Sequence, residues 1–256
     1  MSMILEAKEI IRNYSKNGEG AYLDDGDIKV LKGIDLSVEE GEFLGIMGKS
    51  GGGKTTLLRV LGLLDRPTSG QILFEDFDTK ELWKDELSDI RRRDIGFVFQ
   101  DFFLMESMTV RENIILPMIL DKAKSEDMHR KAEKLAEQFQ ITHLLEKKPT
   151  ELSGGEKQRT AICRALINDP KLILADEPTG NLDSKSGKIV LEALKEIHSW
   201  GKTIIMVTHD PQLASNCEKV LLLKDGVILK TLKRKNDSKE EGDRFYRTIL
   251  GEMEQL

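Results

Sequence analysis

The chain has 256 residues, with 39 lysines and arginines against 45 aspartates and glutamates, which gives a formal net charge of −6 at pH 7. This length predicts one to two domains, and 39% hydrophobic residues are enough to form a sizeable core. The longest apolar run, Ile114 to Leu120, is far shorter than the roughly 20 residues of a membrane-spanning helix, and MSMILEAKEI lacks the pattern of a secretory signal. Two cysteines are too few for a disulfide framework, and the acidic balance argues against nucleic-acid binding. We therefore expect a cytosolic protein without a membrane span.

The first third of the chain predicts strands. Ile4 to Tyr14 is loosely apolar, and Ile34, Leu36 and Val38 alternate with polar neighbours, which is typical of a half-buried strand. Phe43 to Met47 is a short apolar run that leads into a glycine-rich stretch. The following TTLLRVLGLL predicts a helix, and further short strands are predicted at Gln71 to Phe74 and Ile95 to Phe99.

The middle of the chain has a different pattern. Val110 to about Lys148 is rich in Lys, Glu, Ala and Leu at helical spacing, and Pro117 is expected to kink or end a helix there. Strand-like runs return at Lys171 to Asp176, Thr203 to Val207 and Val220 to Leu223, separated by helical segments. Alternating strands and helices predict a mainly parallel sheet interrupted by a helical insertion.

The strongest motif lies between the predicted strand at Phe43 to Met47 and the helix after it. It fits G-x-x-x-x-G-K-[ST], the phosphate-binding loop of NTPases. Its residues are Gly48, Lys49, Ser50, Gly51, Gly52, Gly53, Lys54 and Thr55, and Thr56 follows them. The glycines let backbone N–H groups point at phosphate oxygens, and the helix directs its positive end at the same anion. Lys54 is expected to bridge the β- and γ-phosphates of the nucleotide, and the Thr55 hydroxyl to bind Mg²⁺.

A second motif is the run LILADE, which predicts a buried strand that ends in two carboxylates. Asp176 at the end of the strand can reach the Mg²⁺ shell, and Glu177 beside it can polarise an attacking water as a general base. Many buried strands end in an acidic residue, so this run gains weight only together with the phosphate-binding loop.

A third motif identifies the family. Ser153, Gly154, Gly155 and Glu156 precede the predicted helix KQRTAICRAL, which Ser153 can cap. The whole resembles the signature loop of ATP-binding cassette (ABC) ATPases, and the other motifs of that family follow the same order along the chain. By resemblance, Gln100 is the Q-loop residue, Asp183 in PTGNLDS belongs to the D-loop region, His209 in MVTHD is the switch histidine, and Tyr14 is the aromatic residue that stacks on adenine. Tyr22 is the alternative for the adenine.

The resemblance, which covers about residues 3 to 232, implies an α/β fold of the P-loop NTPase, ABC-ATPase type: a mainly parallel core sheet, an antiparallel β subdomain and an inserted helical subdomain. The expected domains are an ABC ATPase domain at 3–235, with the helical subdomain at about 100–168, and a charged C-terminal tail at 236–256 that forms a short amphipathic helix. Phe245, Tyr246, Ile249 and Leu250 are expected to form the apolar face of that helix.

The resemblance also implies a mechanism shared between two chains. Two cassettes form a head-to-tail homodimer on ATP binding, so that Ser153, Gly154 and Gly155 cover the γ-phosphate held by the partner cassette. Glu177 is then the catalytic base, His209 holds the γ-phosphate and the attacking water, and Gln100 senses Mg²⁺. The resemblance also places Glu156 and Asp183 at the nucleotide site. The metal ligands that it implies are Thr55, Gln100 and Asp176.

A transporter role for such a cassette requires a separate permease chain in the membrane, which would hold the cassette at the inner face. VFQDFFLMESMTVRENIILPMIL and IIMVTHDPQLAS resemble Bce-type cassettes, which act in resistance to peptide antibiotics such as bacitracin and lantibiotics, with a sensor kinase associated through the permease. Lipoprotein release, macrolide export and a cell-division cassette that couples ATP state to a wall enzyme remain open. Phe102, Phe103, Leu104 and Met105 are either permease contacts or a local core.

Overall fold

The computed structural model describes residues 2–15, 27–236 and 238–255. The strands are β1 (Met3–Tyr14), β2 (Ile28–Glu39), β3 (Phe43–Met47), β4 (Ser69–Phe74), β5 (Phe77–Asp78), β6 (Ile95–Phe99), β7 (Leu172–Asp176), β8 (Thr203–Val207), β9 (Lys219–Lys224) and β10 (Val227–Lys233). The helices are α1 (Lys54–Leu61), α2 (Lys84–Arg93), α3 (Val110–Leu120), α4 (Ser125–Gln138), α5 (Gly154–Leu166), α6 (Ser184–Ser199), α7 (Pro211–Ala214) and α8 (Lys239–Glu254), with short 3₁₀ turns at Thr142–Leu144 and Pro149–Glu151.

The chain divides into two compact units. The first unit combines Met1–Leu87 with Thr203–Leu256, and the second is Ser88–Lys202. The two crossings between them fall within α2 and at the start of β8.

The first unit contains an antiparallel sheet with the strand order β2-β1-β4-β5. β1 pairs with β2 from Met3 opposite Glu39 to Tyr14 opposite Ile28, and it pairs with β4 on its other edge. Alternate residues along β2 are buried, including Ile34 and Val38, because one face of this sheet packs on the core. The predicted period of two in this segment is confirmed.

A second sheet of the first unit carries the order β10-β9-β3-β8. β3 is parallel to both of its neighbours, with Ile46 opposite Val207 of β8 and opposite Leu221 of β9. All residues of β3 and β8 are buried, as expected for central strands of a parallel sheet. The carboxyl ends of β3 and β8 therefore meet at one edge.

The helices of the first unit follow the apolar pattern of the sequence. α1 buries Leu57, Leu58, Val60 and Leu61 and ends at Gly62, one turn earlier than the apolar run TTLLRVLGLL suggests. α8 begins at Ser238, whose side chain accepts a hydrogen bond from the Glu241 backbone N–H. Phe245 and Ile249 of α8 are buried, whereas Leu250 is exposed.

The second unit is built around α5. This helix packs against β6 and against α3, α4 and α6. β6 and β7 form a parallel pair from Ile95 opposite Leu172 to Phe99 opposite Asp176. Gly96 of β6 is needed for this packing, because a Cβ there would lie 2.6 Å from the Ala165 carbonyl oxygen of α5.

α3 runs through Pro117, so of the two expectations, a kink or an end, the end of the helix is excluded. Pro117 removes only its own N–H donor, and hydrogen bonding resumes where the Asp121 N–H donates to the Pro117 carbonyl at 3.2 Å. At the other end, the Thr109 side chain and Glu112 form a capping box. α3 is therefore capped at its N-terminus and remains hydrogen-bonded through its last turn.

Two further observations bear on the chemistry of the chain. Cys163 and Cys217 are free and buried, and burial raises the pKa of both thiols. Among the described residues, no helix is long and apolar enough to cross a membrane.

Candidate functional site

The loop between β3 and α1 has a conformation that depends on glycine. At Gly48 a Cβ would lie 2.0 Å from the Leu223 carbonyl oxygen, so no side chain fits. Gly53 has φ of +98° and is the N-cap residue of α1. The loop is thereby held close to β9 and turned into the helix.

Cationic and N–H groups meet in this loop. The Lys54 ammonium donates to the carbonyls of Gly48 at 2.9 Å and Lys49 at 3.1 Å. Gly53 supplies no side-chain cap, and the first turn of α1 contains no acidic residue. The N–H groups at the start of α1 can therefore bind an anion, together with the Lys54 ammonium. Thr55 lies in the first turn with its side chain exposed, and Thr56 beside it is half-buried.

His209 lies at the same edge of the sheet. β8 ends at Val207, and the Thr208 backbone N–H donates to the Ile46 carbonyl of β3 at 3.1 Å. His209 is exposed directly after this contact. Because β3 and β8 are parallel neighbours, the first unit places His209 next to the glycine-rich loop.

In the second unit, Asp176 and Gln100 lie at the ends of paired strands. Phe99 of β6 is opposite Asp176 of β7, so Gln100 and Glu177 both follow at the carboxyl edge. Glu177 has φ of +45°, a left-handed conformation that is uncommon for a glutamate and typical of functional positions. The buried Gln158 Nε2 donates to the carbonyls of Phe99 at 3.3 Å and Pro178 at 2.8 Å, which fixes both strand ends.

Gln100 contacts the D-loop region. Its Nε2 donates to Asn181 Oδ1 at 3.0 Å, and Asn181 Nδ2 donates to the Gln100 carbonyl at 3.2 Å and to Asp101 Oδ1 at 2.9 Å. A Cβ at Gly180 would lie 3.0 Å from the Gln100 amide, so the side chain rests on the Gly180 backbone. Because Gln100 Nε2 donates to Asn181, the side-chain oxygen of Gln100 is the atom that can act as a ligand.

The predicted cap on the signature helix is confirmed. Ser153 Oγ accepts from the Glu156 N–H at 3.4 Å and donates to Glu156 Oε2 at 2.8 Å, and Glu156 Oε2 accepts from the Ser153 N–H at 2.8 Å. The backbone N–H of Ser153 is the main cause that lowers the pKa of Glu156. The backbone N–H groups of Ser153 and Glu156 are thus satisfied by side chains of the same turn.

The signature loop packs against the start of α6. Asp183 caps α6 by accepting from the N–H groups of Lys185 at 2.9 Å and Ser186 at 3.0 Å. The Ser186 hydroxyl donates to Asp183 Oδ2 at 2.7 Å and is the main cause that lowers the pKa of Asp183. A Cβ at Gly155 would lie 2.9 Å from Ser186 Oγ. Only a glycine allows this approach.

The turn after Gln100 exposes apolar side chains. Phe102 and Phe103 both have positive φ, at +61° and +46°, and their carbonyls accept from Arg164 of α5 at 2.7 and 2.5 Å. Phe103 is 62% exposed and Met105 is 48% exposed. Both side chains are thus exposed, and the Phe103 ring also lies edge-on to the Phe99 ring, with 5.1 Å between the centroids.

Tyr14 lies at the end of β1 and is fixed by its neighbours. Its hydroxyl donates to Asp65 Oδ2 at 2.9 Å, and the Arg12 guanidinium lies 4.4 Å from the ring centroid. Tyr22, the alternative adenine contact, lies outside the described residues.

Each unit thus gathers its own share of the predicted residues. The first unit holds Tyr14, residues 48–56 and His209, and the second holds Gln100, residues 153–156, Asp176, Glu177 and Asp183. The sequence did not predict roles for Gln158, Asn181 or Arg164. In the sequence, these three residues stand out only as polar residues that lie within a partly apolar helix or beside a motif.

Comparison with known proteins agrees with this geometry. A family model described as ABC transporter matches residues 31–180. The bacitracin export ATP-binding protein BceA of Halalkalibacterium halodurans is 42% identical over 248 residues, which cover 96% of this chain and 94% of that protein. The macrolide export ATP-binding/permease protein MacB of Campylobacter jejuni is 46% identical over 209 residues, 82% of this chain, and the match spans only 33% of MacB.

A solved structure is similar over most of the fold. It is the dimeric ATP-binding cassette MJ0796 in a post-hydrolysis state, bound to ADP and Pi. Its TM-score is 0.82 at 38% identity, with 91% of this chain and 99% of the other covered. The match includes the α/β architecture with its antiparallel sheet and helical part, so the predicted fold class is confirmed. The chain belongs to the ABC transporter family and is an ATP-binding cassette that hydrolyses ATP.

Proposed function

We propose that this chain powers a separate membrane permease in export of, or resistance to, peptide antibiotics of the bacitracin or lantibiotic type. The observation that carries the proposal is the match to BceA over 96% of this chain and 94% of that protein, which extends beyond the shared ATPase motifs. The permease would hold the chain at the inner face of the membrane. Macrolide export is the alternative, favoured by the 46% identity to MacB.

ATP binding in this proposal begins at the glycine-rich loop. The N–H groups of residues 48–56 and the Lys54 ammonium bind the phosphates, because both lie at the open start of α1. Tyr14 stacks on the adenine. His209, at the same edge of the sheet, donates a hydrogen bond to the γ-phosphate.

Mg²⁺ would be bound together with the nucleotide. The Thr55 hydroxyl, the Gln100 amide oxygen and the Asp176 carboxylate are hard oxygen ligands of the kind that Mg²⁺ prefers. The described residues contain no group of three or more His, Cys, Asp or Glu side chains that could hold a metal by themselves, so the ion would be shared with the phosphates. When bound, it would neutralise charge on the β- and γ-phosphates.

Glu177 is the general base for hydrolysis. Its carboxylate accepts a proton from water as the water oxygen attacks the γ-phosphorus, and ADP leaves from the opposite side. The hydrogen bond from Gln158 Nε2 to the Pro178 carbonyl supports this role, because it holds the backbone directly after the base, where Glu177 itself has φ of +45°.

The complete site requires a second copy of the chain. Ser153, Gly154 and Gly155 would cover the γ-phosphate bound by the partner cassette in a head-to-tail dimer, and Glu156 and Asp183 hold that surface in shape. The dimeric state of MJ0796 supports this arrangement. The permease would contact the exposed Phe103 and Met105, whose turn Arg164 holds rigid.

Glu177→Gln tests the chemical step. Hydrolysis by the variant should fall by about 10²- to 10⁴-fold, because the amide cannot accept the proton, while Mg-ATP binding persists and an ATP-bound dimer accumulates. Steady-state phosphate release and size-exclusion chromatography with ATP measure the two effects. Glu126→Gln, at an exposed position in α4, is the matched control and should hydrolyse normally. Normal turnover by Glu177→Gln would remove Glu177 as the base.

The substrate class is tested on the assembled complex. The chain is purified with the permease encoded beside it, and ATP hydrolysis is measured with peptide antibiotics, macrolides and lipoproteins. Stimulation by peptide antibiotics alone is the expected result, and a sensor kinase in the purified complex would extend the likeness to Bce-type systems. Stimulation only by macrolides or lipoproteins would replace the proposal with the corresponding alternative.

A further inference from the structure

The Tyr14 side chain is fixed at two places. Its hydroxyl donates to Asp65 Oδ2 at 2.9 Å, and the Arg12 guanidinium covers one ring face at 4.4 Å from the centroid. A base can therefore stack only on the opposite face of the ring. The direction of that face is set by the hydroxyl contact to Asp65.

Asp65 is in turn held by the helix that carries the phosphate-binding loop. Arg59, in the last turn of α1, donates from Nε to Asp65 Oδ2 and from Nη2 to Oδ1, both at 3.0 Å. This is the two-point pairing that fixes a carboxylate in orientation as well as position. The Asp65 side chain is only 10% exposed. The hydrogen bond from Arg59 is the main cause that lowers the pKa of Asp65, so the carboxylate is ionised near neutral pH.

Backbone contacts make the same connection. The Asn13 N–H donates to Thr68 Oγ1 at 2.9 Å, and the Thr68 N–H donates to the Ile11 carbonyl at 2.7 Å. The segment after α1 is therefore bound to the end of β1, next to Tyr14. Arg59 lies five residues after Lys54 on the same helix, about 7.5 Å along its axis.

We propose that Arg59 and Asp65 are positioning residues that hold the Tyr14 ring at a fixed distance and angle from the phosphate-binding loop, so that adenine and phosphates are bound as one rigid unit. The inference rests on the proposed role of Tyr14 as the adenine contact. Preorganisation of the ring lowers the entropy lost when the base stacks, and that gain applies only to ligands that carry a base.

The test compares ligands with and without adenine. Binding of Mg-ATP, Mg-ADP and inorganic tripolyphosphate to the full chain is measured by calorimetry for Tyr14→Phe, Tyr14→Ala and Asp65→Asn. Tyr14→Ala should weaken ATP and ADP about 10- to 100-fold, since it removes the stacking surface. Tyr14→Phe and Asp65→Asn should weaken both about 3- to 10-fold, since the ring remains but is no longer fixed. Tripolyphosphate affinity should not change in any of them.

Asp78→Asn is the matched control. Asp78 also accepts two hydrogen bonds in the first unit, from Gln71 Nε2 at 2.6 Å and from the Lys80 N–H at 2.9 Å, but it has no contact with Tyr14. The variant should leave the affinity for all three ligands unchanged. A Tyr14→Phe, Asp65→Asn double variant should bind ATP no more weakly than the worse single variant, because both remove the same contact.

Three results would overturn the inference. Equal weakening of tripolyphosphate and ATP in Asp65→Asn would indicate general damage to the unit. Unchanged ATP affinity in both Tyr14→Phe and Asp65→Asn, with Tyr14→Ala weakened, would leave the adenine contact standing and remove the positioning role. Unchanged ATP affinity in Tyr14→Ala would remove the adenine contact itself, and the positioning role with it.

Discussion

Two helices have glycines at their N-terminal ends, and these ends are capped in different ways. α1 follows Gly51, Gly52 and Gly53, whereas Gly154 and Gly155 are the first two residues of α5. α1 begins at Gly53 with no side-chain cap, and Lys54 adds a positive charge. α5 begins at Ser153 with a complete capping box, in which Glu156 adds a negative charge. The start of α1 can therefore bind an external anion. The start of α5 already contains an anion of its own, the Glu156 carboxylate. A phosphate that approaches α5 has to compete with Glu156 for the Ser153 hydroxyl.

In the proposed function, the two starts have different tasks. The start of α1 would bind nucleotide through its backbone N–H groups and Lys54. The Ser153 hydroxyl at the start of α5 is held by Glu156 and would have to turn from it to reach a phosphate. Similar glycine-rich sequences thus serve different tasks, because one is followed by Lys-Thr-Thr and the other by Glu156.

At the start of α1, Lys54 should have the strongest influence on nucleotide binding. Lys54→Ala should weaken ATP and tripolyphosphate alike, by about 10- to 100-fold, because it removes a charged donor from the phosphates. Lys49→Ala is the matched control, since the Lys49 side chain is exposed in the same loop and only its carbonyl contacts Lys54. Calorimetry of both variants measures the difference. Equal affinities would mean that α1 binds phosphate through its backbone alone.

Changes to Ser153 at the start of α5 should lower ATP hydrolysis rather than ATP affinity. Ser153→Ala removes the cap and should cost about 1 kcal/mol of unfolding free energy, with ATP hydrolysis by the dimer lowered by about 10²-fold and ATP affinity of the single chain unchanged. Thr109→Ala removes the equivalent cap on α3 and should cost similar stability with normal hydrolysis. Thermal unfolding and phosphate release separate the two contributions. Normal hydrolysis by Ser153→Ala would leave Ser153 as a structural cap only.

Mixing two inactive variants tests whether Lys54 and Ser153 of one ATP site come from different chains of the dimer. A Ser153→Arg chain and a Lys54→Ala chain should each fail to hydrolyse ATP alone. In a mixed head-to-tail dimer, one site combines an intact Lys54 with an intact Ser153, so activity should return. Activity that stays absent in the mixture, while the dimer forms, would place both residues in the same site of one chain.

The smallest expected effect is a difference in acid sensitivity. The pKa of Glu156 lies below the usual glutamate value because the Ser153 N–H donates to the carboxylate, so the capping box stabilises the fold above the unfolded pKa of about 4.3. This stability is lost as the pH falls through the lowered, folded pKa. Wild type and Glu156→Gln should differ by less than about 1 kcal/mol at neutral pH and should converge as the pH falls through the lowered pKa of Glu156, as measured by denaturant unfolding. A difference in unfolding free energy that does not shrink on acidification would contradict this account.

The regular elements and the motif positions could be predicted from the sequence. Continuous apolar runs marked β3, β7 and β8, and Ser153 with Glu156 marked the start of α5, because burial and capping leave local patterns. The left-handed Glu177 and the contacts of Asn181 with Gln100 could not be predicted. Both depend on residues about 80 positions apart or on backbone angles that no local pattern encodes. The local rule for Pro117 left a kink or an end of the helix open, and only the structure shows that α3, which packs on α5 and α4, continues through it.

Arg164 has a consequence for how force passes through the second unit. It lies near the end of α5 and holds both carbonyls of the Phe102–Phe103 turn, while Ser153 caps the beginning of the same helix. Ser153 and Arg164 are 11 residues apart, which corresponds to about 16 Å along the axis of α5. The Phe103 ring also lies edge-on to Phe99 of β6, with 5.1 Å between the ring centroids. A partner bound at Phe103 would therefore be coupled to β6 by this contact and to α5 by the two Arg164 hydrogen bonds, and a displacement of α5 would also move the Ser153 cap at its other end.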